Sequence, residues 1–136
     1  MTIQRFEDWP KRLSAYIIAH REIPFAWREN DCLSFVANCV KELTGKDFYA
    51  SFNNYTDEAT ARELMELNGG AEGIITQCLG EPKRSPRYAT RGDVALVMGP
   101  EPCAGIVDDS GQRVAVMTEK GMIRAPLRAA VKVWGY

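Results

Sequence analysis

Asn30-Asp31-Cys32-Leu33-Ser34-Phe35-Val36-Ala37-Asn38-Cys39-Val40-Lys41-Glu42-Leu43-Thr44-Gly45 is the stretch on which the fold of this chain turns. Cys32, Phe35, Val36, Cys39, Val40 and Leu43 fall at i, i+3, i+4, i+7, i+8 and i+11, the spacing that aligns apolar side chains along one helical face. Either Asn30 or Asp31 can cap the start, because a short polar side chain there accepts a free N–H of the first turn. Gly45 can stop it, since glycine takes the left-handed backbone of a helix end without steric cost. The spacing predicts a buried helix that opens at a cysteine.

Reading outward toward the N-terminus, Asp8 can cap a helix from about Trp9 to Arg21, with Pro10 tolerated in its first turn. Trp9, Leu13, Tyr16, Ile17 and His20 share one face of it. Pro24 ends that helix, and Ile23, Phe25 and Trp27 form an apolar connector. On the other side, Lys46 to Tyr55 is aromatic and Asn-rich and reads as a packed loop. Thr56 or Asp57 opens a third helix through Ala61, Leu64, Met65 and Leu67 to Gly69-Gly70, and a short fourth carries Ile74, Ile75, Cys78 and Leu79 to Gly80. After a polar, basic loop from Glu81 to Gly92 the period changes. Val94, Leu96 and Met98 alternate with Ala95 and Val97, and Gly99-Pro100-Glu101-Pro102 turns the chain into a strand at Cys103 to Val107. Asp108-Asp109-Ser110-Gly111 is a strong hairpin turn. Val114 to Met117, Met122 to Arg124 and Val131 to Trp134 bring the total to about five strands. Helices first and antiparallel strands after is an α+β pattern, read as a single domain over residues 1–136: helical over about 1–80, a sheet over about 92–136.

Composition limits what such a domain does. The 136 residues carry 17 Lys+Arg against 18 Asp+Glu, a net charge of −1, which argues against a nucleic-acid binder that works by releasing counterions. Hydrophobic residues at 46% supply a core without staples. No apolar run reaches a membrane span, and Met1-Thr2-Ile3-Gln4-Arg5-Phe6 lacks the apolar core of an export signal, so a soluble protein made in a cytoplasm is expected, with no membrane partner. Cysteines stand at 32, 39, 78 and 103 with no C-x-x-C pair. With His20 the one histidine, structural zinc is not expected, no metal or other cofactor is implied, and free thiols are the default.

Cys32 carries two readings. A thiol in the first helical turn behind Asn30-Asp31 sits where free N–H groups and the helix dipole favour a thiolate. Heading an apolar stripe, it is equally at home as a small buried hydrophobe, the commoner fate of a cysteine. Cys39 and Cys78 lie on apolar helical faces and read as core. His20 reads as a helix-end histidine partly packed against the core, on the face it shares with Trp9, Leu13 and Tyr16. Asp31 reads as a cap and Asp93 as a strand-end residue that binds backbone amides, rather than the two as a catalytic carboxylate pair. Lys83, Arg84, Arg87 and Arg91 read as a solvated loop before an anion site, and the aromatics from Phe48 to Tyr55 as packing or a protein interface before a sugar platform.

Asn30-Asp31-Cys32-Leu33-Ser34-Phe35-Val36 resembles the nucleophile segment of the NlpC-type papain-like cysteine peptidases, Arg91-Gly92-Asp93-Val94-Ala95-Leu96-Val97 their Gly-Asp strand, and Cys103-Ala104-Gly105-Ile106-Val107 the strand that bears their catalytic histidine. More closely, the chain is similar to a family of small tailed-phage and prophage proteins. It shares with them a Trp before Asn-Asp-Cys (Trp27), Thr44-Gly45 after the cysteine helix, an aromatic segment ending at Tyr55, and the apolar C-terminal strand from Val131 to Trp134. The resemblance implies a papain-like domain with Cys32 at the nucleophile position and Cys103 where the histidine belongs. A thiol cannot serve as the base of a cysteine–imidazole unit, and the third, orienting residue falls in apolar Ala115-Val116-Met117, with Thr118 the nearest polar side chain. It therefore implies a catalytically inactive structural component of a virion tail, at the tip or baseplate, whose partners are other tail proteins. An active hydrolase of cell-wall peptides with Cys32 as nucleophile is the alternative. The resemblance also places Cys32 and Cys103 face to face, as a packed neutral pair ahead of a redox-labile pair or half of an adventitious metal site.

Overall fold

The computed structural model describes residues 3–47, 49–52 and 54–136; Phe48 of the aromatic loop, and Met1 and Thr2 of the N-terminal segment, lie outside the described residues. Among the described residues four α-helices precede five strands: α1 (Trp9–His20), α2 (Cys32–Thr44), α3 (Glu58–Asn68), α4 (Gly70–Leu79), β1 (Val94–Val97), β2 (Cys103–Val107), β3 (Arg113–Thr118), β4 (Gly121–Pro126) and β5 (Ala130–Trp134). This is an α+β fold. Among the described residues no helix is long and apolar enough to cross a membrane.

The strands form one sheet in the order β4-β3-β2-β1-β5, every neighbouring pair antiparallel. Val94 lies opposite both Ile106 and Trp134, so β1 runs down the sheet between β2 and β5. Alternation then sorts the side chains. Val94, Leu96, Ala104, Ile106, Ala115, Met117 and Trp134 turn toward the helices and join Leu13, Ile17, Phe35, Val40 and Leu43 in the main core. Ala95, Val97, Val107, Val114, Val116 and Val133 form a second, smaller core on the opposite face, flanked by Ala89, Leu127 and Ala129. That far face makes the strands apolar on both sides. A nearly continuous run such as Val94 to Val97 has this cause.

Helix α2 packs on α1, β2 and β3 at once, and its burial is accordingly wider than one stripe, taking in Leu33, Ser34, Ala37 and Thr44. Gly45 ends it at φ 78° with its N–H on the Lys41 carbonyl, the left-handed cap the sequence predicts. At the other end of the chain, Gly105 lies where a Cβ would meet Val114 Cγ1 at 2.6 Å and the Ala115 carbonyl at 2.7 Å. Only a glycine lets β3 approach β2 this closely.

Several local expectations need revision. Asp8 sits at the start of α1 without capping it, because its carboxylate is taken by Arg12 Nε at 2.7 Å. Gly69 ends α3 and starts α4 with no intervening loop, and Met98 falls just outside β1. The hairpin strands β3 and β4 run longer than the apolar residues alone suggested, since exposed Arg113 and Pro126 continue the ladder.

Candidate functional site

The site is built on the N-terminus of α2. The connector before it folds back through an isolated Ala26–Asn30 bridge, and Asn30 Nδ2 donates to the Ile23 and Pro24 carbonyls at 3.2 and 3.0 Å. Arg28 takes a left-handed φ of 72°, which turns its N–H onto Asp31 Oδ2 at 2.7 Å. Asp31 is the cap: Ser34 N–H donates to its Oδ1 at 2.9 Å, and Asp31 N–H donates to Ser34 Oγ at 2.8 Å. The Tyr55 hydroxyl also donates to Asp31 Oδ2 and in turn meets the Tyr49 hydroxyl. Asp31, 3% exposed, thus satisfies its charge with four donors and no cation among its described partners. The result is a rigid platform that sets Cys32 as the first helical residue.

Cys103 opens β2 opposite Val97, directly after the Gly99 to Pro102 turn. Its side chain reaches Cys32. The two are free thiols close enough to shift each other's acidity, and Cys103 S–H donates to the Glu101 carbonyl at 3.6 Å. The hydrogen bond to Cys103, then burial, then the neighbouring Asp31 charge hold the Cys32 thiol well above the ordinary thiol range. That same hydrogen bond pulls Cys103 down to about 7. Helix N-terminal placement alone favours a thiolate at Cys32; a buried carboxylate next door and a thiol partner that accepts its proton donation reverse that preference.

Both sulfurs lie in a cleft of about 400 Å³ walled by Phe25, Trp27, Leu64, Met65 and Met117. Its rim is acidic: Glu58, Glu66, Glu101 and Glu119, against one guanidinium, Arg62, which ties Glu58 to Glu101 at 3.1 and 2.9 Å. The family model for a domain of unknown function, DUF6950, matches residues 4–136. The chain belongs to the DUF6950 family. No curated protein matches it.

No imidazole reaches the cleft of this DUF6950 chain. His20 stacks on Tyr16 with ring centroids 3.9 Å apart, sets its Nδ1 2.8 Å from the Tyr16 carbonyl, and is absent from the cleft wall. Thr118 lines the cleft, but its hydroxyl donates to the Gly121 carbonyl at 2.7 Å across the β3–β4 turn. Ala115 and Met117 are buried among apolar neighbours. Asp93 stands apart from Asp31, 1% exposed, holding Arg5 at 3.3 Å, Lys83 at 2.7 Å and the Thr90 N–H at 2.9 Å. The basic loop is likewise elsewhere: Lys83 is spent on Asp93, Arg84 lies over Tyr88 and Arg91 over Trp9, and none lines the cleft. Cys39 is fully buried on α2 and Cys78 is half-buried on α4.

What reading the sequence missed is the chain of hydroxyls that ties Tyr49 and Tyr55 to Asp31. Both tyrosines belong to the aromatic loop and are buried at 5% and 3% exposure, so packing, not display, is their role. The acidic rim was also missed, because its members come from α3, the turn before β2 and the turn after β3. The signal present in the sequence was the unusual pair of tyrosines flanking an Asn-rich loop.

Proposed function

We propose that this DUF6950 chain is a non-hydrolytic, NlpC-like member of the papain-like superfamily that serves as a structural component of a phage or prophage tail. One observation supports the loss of hydrolysis above others: the group facing Cys32 is the Cys103 thiol. A cysteine peptidase needs an imidazole that takes the thiol proton and later gives it to the leaving amine, with a polar residue to orient it. Here the facing group is itself an acid and its supporting strand is apolar, so both roles are empty. Loss of the base from such a unit removes several powers of ten in rate.

The papain-like reading draws support from a cysteine-headed helix packed across an antiparallel sheet, which is what the sequence resemblance implies. The tail reading rests on the ordered blocks from Trp27-Arg28-Glu29-Asn30-Asp31-Cys32 to Val131 through Trp134. Its partners are other tail proteins; nucleic acid and membranes play no part in it. Two measurements test the proposal. Incubation with peptidoglycan stem peptides is expected to leave them intact; hydrolysis abolished by Cys32→Ala overturns the non-hydrolytic reading. Mass spectrometry of purified particles with cross-linking is expected to recover the chain joined to tail subunits; absence from both particles and tail intermediates overturns the tail assignment.

A further inference from the structure

We propose that Cys32 and Cys103 form a two-thiol modification site that a hydroperoxide converts to an intramolecular disulfide, with Cys103 the attacking and Cys32 the resolving thiol. Three observations carry it. Cys32, first in α2, and Cys103, first in β2, line one cleft as neighbours, so no partner has to be recruited. Of the four cysteines, these two alone line the cleft, whereas Cys39 is sealed in the core of α2 and Cys78 sits on α4 outside the cleft wall. Cys103 is the first residue of its strand, next to a turn outside the ladder, where a small shift of the sulfur costs little pairing.

The cleft shapes the chemistry. At about 400 Å³ it admits a small neutral oxidant to both sulfurs. The rim of Glu58, Glu66, Glu101 and Glu119 opposes entry of anionic small thiols, which leaves Cys32 as the thiol that meets an oxidised Cys103. In the first step the Cys103 thiolate attacks one oxygen of hydrogen peroxide; an S–O bond forms, the O–O bond breaks, and hydroxide leaves and takes up a proton as water. In the second, the Cys32 sulfur attacks the sulfenic sulfur, an S–S bond forms, and the S–O oxygen leaves as a second water with the proton Cys32 gives up. Two thiols lose two protons and two electrons, and one peroxide takes them up to become two waters. The lowered pKa of Cys103, at about 7, supplies the thiolate for the first step.

The experiment uses the full, reduced chain. It is exposed to hydrogen peroxide, blocked with N-ethylmaleimide and peptide-mapped before and after dithiothreitol. The expected result is a cross-linked peptide joining Cys32 to Cys103, lighter by two hydrogen atoms, restored by dithiothreitol, with Cys39 and Cys78 unlinked. In Cys32→Ser, Cys103 is expected to persist as a sulfenic acid trapped by dimedone; in Cys103→Ser, Cys32 is expected to remain a thiol. Sulfinic acid at Cys103 beside a reduced Cys32 in the unmutated chain, linkage through Cys39 or Cys78, or no change at either cysteine overturns the proposal. Because the unmutated chain gives the deciding result, it does not depend on the variants folding, and stem-peptide hydrolysis or its absence does not bear on it.

Discussion

Replacing Asp31 with alanine tests the platform beneath Cys32 most directly. The carboxylate accepts from Ser34 N–H at 2.9 Å, Arg28 N–H at 2.7 Å and the buried Tyr55 hydroxyl. Loss of the cap costs about 1 kcal/mol. The Tyr55 hydroxyl, 3% exposed, loses its charged acceptor but keeps Tyr49, which places its penalty near the low end of the range for an orphaned buried donor, about 1–2 kcal/mol. Arg28, held at φ 72°, loses the bond that repays its left-handed backbone, about 1 kcal/mol more. The total is about 3–4 kcal/mol, or about 12 °C in melting temperature for a chain of this size. Urea denaturation followed by tryptophan fluorescence, paired with calorimetry, measures it. Asp31→Asn should cost less, since its remaining oxygen can still cap while its amide confronts the other donors. In a double-mutant cycle with Tyr55→Phe, the two changes should fall short of additivity by about 1 kcal/mol, because they share one hydrogen bond. A cost for Asp31→Ala below about 1 kcal/mol, or additivity within about 0.5 kcal/mol, would refute the reasoning.

Three further outcomes follow from other contacts. Gly105→Ala drives a Cβ into Val114 Cγ1 and the Ala115 carbonyl, neither able to retreat without moving β3, and should destabilise by about 2–3 kcal/mol in denaturant titration. Asp93→Ala leaves Arg5 and Lys83 partly buried without their carboxylate and frees the Thr90 N–H, and should cost about 3 kcal/mol by the same measurement, while exposed Arg62→Ala should leave the unfolding midpoint almost unmoved. Alkylation of Cys103 by iodoacetamide, read site by site in the mass spectrometer, should rise through an inflection at about pH 7. Cys32→Ala removes the hydrogen bond that stabilises the Cys103 thiolate, so the inflection should move up toward that of a free thiol. The rate at pH 7 should then fall about threefold, the loss of thiolate being partly offset by its greater nucleophilicity. An unmoved inflection would show that Cys32 does not set the acidity of Cys103.

The sequence by itself determined what depends on neighbours a few residues away. A cap at Asn30 or Asp31, the stripe from Cys32 to Leu43, the Gly45 stop and the switch to strand period after Gly92 each follow from hydrogen bonds or side-chain spacings that close within one or two turns of chain. Even locally there were limits, as Asp8 shows: the same carboxylate can cap α1 or bind Arg12, and the choice fell to the cation one turn on. Tertiary structure decided the rest. Whether Cys32 is a nucleophile or one member of a thiol pair depends on which residue of β2 is carried to the start of α2, a matter of sheet register and helix packing. The same holds for Tyr55, which reads as one aromatic in a polar loop until the fold brings its hydroxyl to Asp31. The acidity of a thiol is set by every charge and donor within a few ångströms. Around the Cys103 sulfur those groups are Cys32 at the start of α2 and Glu101 in the turn before β2, and only the folded chain brings them together.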